Sequence, residues 1–112
     1  MENLKQELRA FVEERDWQQF HSPKNLAMAL AIEAAELMEP FQWLTEEQSR
    51  SLPDAKLAAV KDELADVFIY LVRLSDQLGV DLLAATREKL EKNRTKYPPE
   101  QVRGKALKYN EY

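Results

Sequence analysis

Leu4, Leu8, Phe11 and Val12 recur at the three-and-four spacing of an amphipathic helix, with charges between them, and predict a first helix over residues 3–15. The run Asp16-Trp17-Gln18-Gln19-Phe20-His21 breaks that pattern and reads as a loop carrying three ring side chains. Ser22 and Pro23 then supply an N-cap and a proline at the first helical position, opening a second helix over residues 23–39. Pro40 removes a backbone donor and crowds the preceding turn, so this helix ends or kinks there. Thr45-Glu-Glu-Gln48 has the spacing of a capping box and predicts a short helix. After an interruption at residues 51–54, Asp54 is the expected N-cap of a third long helix, ended by Gly79 in a left-handed cap. Its apolar set, from Leu57, Val60 and Leu64 to Leu71, Leu74 and Leu78, is wide enough for burial on more than one side. Asp81 caps a fourth long helix that runs to Tyr97 and stops at Pro98-Pro99. The remainder, with Arg103, Lys105, Lys108 and two tyrosines, reads as a polar tail that stays mobile or folds over a neighbour.

These elements predict an all-α chain of four long helices and one short one. Residues 1–97 form the domain and residues 98–112 the tail. A length of 112 residues fits a single domain, and 45% apolar residues with only two glycines favour helices packed on helices. The absence of cysteine excludes a disulfide framework, a thiolate metal site and a cysteine nucleophile. No cationic flank precedes an apolar stretch at the N-terminus, and no apolar run is long enough to span a membrane, so a cytoplasmic protein without a membrane partner is expected. A net charge of −4 argues against a nucleic-acid polymer as partner.

The candidate chemistry lies in two acidic pairs, Glu33-Ala-Ala-Glu36 and Glu63-Leu-Ala-Asp66, each three residues apart on a helix. At roughly 100° per residue, Leu26, Ala29, Leu30 and Leu37 fall within about 60° of Glu33, which therefore sits inside an apolar stripe. On the next long helix Val60, Val67 and Leu74 flank Glu63 on one side, and Asp66 and Tyr70 on the other. Carboxylates facing a core are costly unless a cation compensates them, and no basic residue interrupts those faces. Four converging acids therefore point to a divalent metal. One E-x-x-E alone carries almost no information, since helices are full of exposed glutamates. Two pairs angled toward apolar faces carry more. Taken singly, Trp17, Trp43 and Tyr70 are packing residues, His21 is a loop histidine, and Lys89, Lys92, Arg94 and Lys96 are a solvated helix face.

Taken together, several segments resemble the dCTP pyrophosphatase branch of the MazG-type all-α nucleoside triphosphate pyrophosphohydrolases. They are Glu14-x-x-Trp17-x-x-Phe20-His21-x-Pro23-x-Asn25, the two acidic pairs, Phe41-Gln-Trp43, Tyr70, and Asn93-Arg-x-x-Tyr97-Pro98. The match covers nearly the whole chain. It implies a helical bundle of the all-α pyrophosphatase type, assembled as a homodimer or homotetramer, that cleaves a dNTP to monophosphate and pyrophosphate. It further implies Mg²⁺ held by Glu33, Glu36, Glu63 and Asp66. The substrate would be bound by Trp17, Gln18, Gln19, Phe20, His21, Asn25, Trp43, Tyr70 and Asn93. Two positions depart from the pattern: Ile32 stands where many such chains have a glutamate, and Leu8 where relatives of this branch can carry a histidine. The second removes a polar contact from the expected pocket and opens the question of base preference.

The residue types suit that chemistry. Mg²⁺ prefers carboxylate and phosphate oxygens, aromatic faces stack on a pyrimidine, and Glu36 or Glu39 is a candidate to take a proton from the attacking water. Lys89, Asn93, Arg94 and Lys96 could reach phosphate oxygens. A carboxylate-bridged di-iron bundle would need E-x-x-H pairs that a chain with one histidine lacks. The remaining alternatives are a pyrophosphatase of broad or different base preference and a non-enzymatic helical adaptor.

Overall fold

The computed structural model describes residues 1–106, and the described residues contain helices and turns but no strand. Four long helices and a short one occur where the pattern predicts them: α1 Glu2–Glu14, α2 Pro23–Met38, α3 Glu46–Ser49, α4 Asp54–Gln77 and α5 Leu82–Lys96. One more turn, α6 Pro99–Val102, follows the proline pair. Pro98 keeps Tyr97 out of helical geometry at the end of α5, and Pro99 starts α6, because its fixed φ and missing N–H suit a first helical position. The expected tail therefore begins with a helical turn, and its last part, including Lys108 and both tyrosines, lies outside the described residues.

Local chemistry explains the boundaries. The Ser22 hydroxyl accepts from the Asn25 N–H, and Thr45 and Gln48 complete a reciprocal capping box. Asp81 accepts from the Ala84 N–H, and Gly79 ends α4 at φ 67°. Asp54 departs from expectation. Pro53 occupies the N-cap position and no side chain caps the helix, so Asp54 sits in the first turn, where its charge favours the positive end of the helix dipole. At Pro40 the α-geometry stops after Met38 and the chain continues through a tighter 3-10 turn, Glu39–Phe41.

The end of α1 was not legible as a cap. Asp16 adopts φ 52°, the Asp16 N–H bonds to Glu13 O at 3.0 Å, and the Trp17 N–H reaches back to Val12 O at 3.0 Å. Those two bonds are a Schellman motif with aspartate in the place usually taken by glycine. The motif brings Trp17 edge-on to Phe11, ring centres 5.9 Å apart, while Arg15 covers the Phe11 ring at 3.7 Å. Residues 16–21, expected as a plain loop, contain a 3-10 turn at Gln18–Phe20.

The chain forms two compact units, Met1–Gly79 and a second beginning at Val80. In the first, α2 packs along α4, and α1 also packs on α4. Its buried apolar residues are Val12, Leu26, Val60 and Val72, a small core for so many apolar side chains. Met28 and Ile32 on α2, and Leu57, Leu64 and Phe68 on α4, remain exposed. The second unit carries α5 and α6.

Candidate active site

The packing of α2 on α4 turns the two acidic pairs toward each other. Glu33 and Glu36 from α2 and Glu63 from α4 each offer an oxygen, and these oxygens lie within 4.8 Å of one another. One oxygen each of Glu33 and Glu63 is shut off from solvent and has no hydrogen-bond partner. Ionised carboxylates can only accept, so they cannot satisfy each other. Glu33 accordingly has its pKa pushed up to about 7, first by burial, then by proton sharing with Glu63 and Glu36, and finally by the charges of Glu36 and Asp66. Buried acceptors without donors, converging from two helices, fit a hard divalent cation with oxygen ligands. The cluster could hold such an ion.

Asp66 lies outside this group of three, although its charge is felt at Glu33. It lines an adjoining cavity of about 230 Å³ together with Trp17, His21 and Tyr70, three of the expected substrate-binding residues. Leu8, Phe11, Val12 and Ile69 make the apolar part of its wall. The volume is below the roughly 300–1,000 Å³ of pockets that enclose a drug-sized ligand. Of the acidic residues, Asp66 alone joins this wall to the cluster on α2 and α4.

The other expected residues are placed elsewhere. Gln18 lines a second cavity, with Arg9, Glu13 and Asp76. The Gln19 amide donates to Asp16 O at 3.0 Å and the Asn25 amide to Phe20 O at 3.1 Å, so both hold the loop in shape. Phe20 is exposed, and Trp43 is 86% exposed. Glu39 is exposed, at the 3-10 turn after α2. Asn93 is half-buried on α5, in the second unit.

One charged residue of the cavity wall is not among the sequence candidates. Arg73, only 3% exposed, follows Tyr70 by three positions on α4, and its Nε–H donates to His21 Nδ1 at 3.4 Å. Its Nη1 lies 3.5 Å from Asp76, which Arg9 grips with two nitrogens at 2.7 and 2.5 Å. The Arg9 hydrogen bonds hold the Asp76 carboxyl below its ordinary range, against the opposing effect of burial. Burial, and then the Arg73 charge, lower the His21 pKa. The available signal was angular: seven residues after Asp66, Arg73 returns to the same helix face.

An all-helical chain with three acids held between two packed helices, beside an aromatic cavity, defines a class that the comparisons name. The model of the MazG-like family matches residues 28–111, and the chain belongs to that family. Over 99% of its length it is 43% identical to mouse dCTP pyrophosphatase 1 and 41% identical to the human protein of that name. It spans about 66% of the length of each. Among solved structures, it shares its fold with a pyrophosphatase from Archaeoglobus fulgidus. The TM-score is 0.83 at 41% identity, covering 88% of this chain and 92% of the other.

Proposed function

We propose that this chain is a Mg²⁺-dependent pyrophosphohydrolase that cleaves dCTP, or modified and non-canonical dNTPs, to the monophosphate and pyrophosphate, clearing them from the nucleotide pool. The observation that carries this reading is the pair of orphaned oxygens on Glu33 and Glu63, beside a cavity walled by Trp17, His21 and Tyr70. Mouse and human dCTP pyrophosphatase 1 support it from outside the chain.

Glu33, Glu36 and Glu63 would hold the cation, with Asp66 at the boundary between acids and cavity. When bound, Mg²⁺ supplies positive charge that offsets the polyphosphate and the charge developing at the α-phosphorus. Trp17 and Tyr70 offer ring faces to the base, and His21 offers a hydrogen bond to its edge or to the sugar. Water oxygen bonds to the α-phosphorus, the α–β bridging bond breaks, and pyrophosphate leaves. Glu36, within the cluster, or Glu39, one turn further along, takes the proton lost by that water. Asn93 is assigned to substrate by the resemblance alone.

Leu8 in the cavity wall favours one alternative, a broader base preference, because it offers no hydrogen bond to discriminate one base edge from another. The exposed Met28, Ile32, Leu64 and Phe68 support a homodimer or homotetramer that covers them. Among the described residues no helix is long and apolar enough to cross a membrane, and a nucleotide substrate fits a cytoplasmic enzyme. Pyrophosphate release from a panel of nucleoside triphosphates, with Mg²⁺ and with chelator, is the test. Mg²⁺-dependent cleavage led by dCTP or its modified forms is expected, and no cleavage of any nucleotide would leave only the adaptor reading.

A further inference from the structure

Arg73 is the most deeply buried charged side chain among the described residues, and the phosphate chemistry gives it no task. A guanidinium carries only donors and keeps its charge at any ordinary pH. The ring nitrogen it meets must therefore present a lone pair. His21 Nδ1 is that nitrogen, so the proton of the neutral imidazole resides on Nε2. An imidazolium would set an N–H against the Arg73 N–H. Asp76 compensates the Arg73 charge and is anchored from α1 by Arg9, so the guanidinium is held from behind and its Nε–H is left for His21.

From this chain of contacts we infer that Arg73 is a positioning residue for substrate recognition: it fixes His21 as a hydrogen-bond donor through Nε2, so that the ligand group opposite His21 is an acceptor. A base carbonyl, an unprotonated ring nitrogen or a sugar oxygen meets that demand, and a ring N–H or amino group does not. Both His21 and Arg73 line the cavity, and Nδ1 is occupied, so Nε2 is the ring nitrogen left for a ligand. The inference rests on the nucleotide reading of the cavity, but its first test does not.

Because the chain has one histidine, long-range ¹H–¹⁵N correlation spectra of the labelled full-length protein without substrate report its tautomer directly. A single Nε2–H form is expected at pH 7 in wild type, giving way to a mixture in Arg73→Met. A wild-type mixture, or the Nδ1–H form, overturns the inference whatever the enzyme hydrolyses. With dCTP as substrate, Arg73→Met should raise KM by about tenfold, the scale of one hydrogen bond to a charged group, with kcat changed by less than about threefold. An equal fall in kcat and kcat/KM would place Arg73 in the chemical step and overturn the positioning role. In a His21→Gln background, Arg73→Met should add no further rise in KM, whereas an undiminished effect there would show that Arg73 does not act through His21. Arg73→Lys keeps the charge and loses the planar Nε donor. Its ammonium can still only donate to Nδ1, so it provides the same readouts if Arg73→Met does not fold. A retained Nε2–H form with KM near the wild-type value is expected, and an Nδ1–H form or a tautomer mixture would count against the inference.

Discussion

Two regions of α4 treat charge in opposite ways. Around Glu63 three carboxylates from α2 and α4 crowd together, with one oxygen each of Glu33 and Glu63 buried and without a donor. Ten residues on, about 15 Å along the helix, Arg73, Asp76 and Arg9 alternate in sign, and the chain of contacts ends on His21. The second region is complete as it stands. The first is not, since the buried oxygens of Glu33 and Glu63 have no hydrogen-bond partner, and that costs stability in the free chain. The difference separates a cluster that could hold a cation from a network that fixes a wall of the cavity.

If that division is right, the largest effect on activity belongs to the uncompensated region. Glu63→Gln loses a charge and keeps the shape, and pyrophosphate release should fall by more than about a thousandfold while the helical circular-dichroism signal is retained. The same variant should unfold at an equal or higher temperature than wild type in chelator, because it relieves crowding of like charges. A fall in both activity and stability would mean that the carboxylates support the fold, and would erase the contrast.

The compensated region should answer in the other currency. Asp76→Ala leaves Arg73 buried without its partner, and the midpoint of thermal unfolding should drop by roughly 10 °C. Loss of activity in this variant should follow loss of folded protein, apart from a rise in KM as Arg73 shifts away from His21. A midpoint within about 2 °C of wild type would show that the network carries no structural load.

A pH series separates the regions more finely. Glu33 has a folded pKa of about 7 against an ordinary 4.5, so the folded chain binds more protons than the unfolded one between those values. Its contribution to stability is full below pH 4.5 and is lost as pH rises through about 7. The compensated groups run the other way: the His21 and Asp76 pKa values are both lowered on folding, so their contributions are lost as pH falls. In chelator, Glu33→Gln should be more stable than wild type at pH 8, with the gap closing toward pH 4.5. Thermal unfolding at four or five pH values checks this, and a gap that does not vary with pH would remove Glu33 from the account.

Much of this was legible in the sequence where the cause is local. Ser22, Thr45 with Gln48, Gly79 and Asp81 each act on backbone groups within a turn of themselves, and each does what its position predicts. Glu33 and Glu63 were legible because their angular position among apolar residues is fixed by helix geometry alone. Arg73 was not, because an arginine on a helix reads as solvated unless its partners are known, and Asp76 is held by Arg9 from 67 residues away. Gln19 and Asn25 were expected at substrate because their amides can hydrogen-bond. In the fold, each amide also gives a hydrogen bond to a nearby backbone carbonyl, which residue type does not reveal. Trp43 was expected in the pocket, yet it stands 86% exposed on the first unit.

The smallest effect concerns how the compensated region keeps its aromatic wall. Trp17 reaches the cavity because Asp16 holds a left-handed conformation that most residues avoid. If the conformation is what counts, Asp16→Gly should preserve the Trp17–Phe11 contact and stabilise the fold by about 0.5–1 kcal/mol, the scale of relieving a strained φ. Asp16→Val should cost about 1 kcal/mol or more, because a β-branched side chain fits that region poorly. The side chain of Asp16 itself only accepts a long 3.4 Å bond from Gln19. Tryptophan fluorescence during thermal unfolding, with Trp43→Phe in both variants so that Trp17 alone is seen, reads the effect, and KM for dCTP should follow the same order. Should Asp16→Gly instead destabilise the fold and weaken substrate binding, the carboxylate would be acting on the loop directly, and the wall would depend on an exposed charge as well as on the buried pairs behind it.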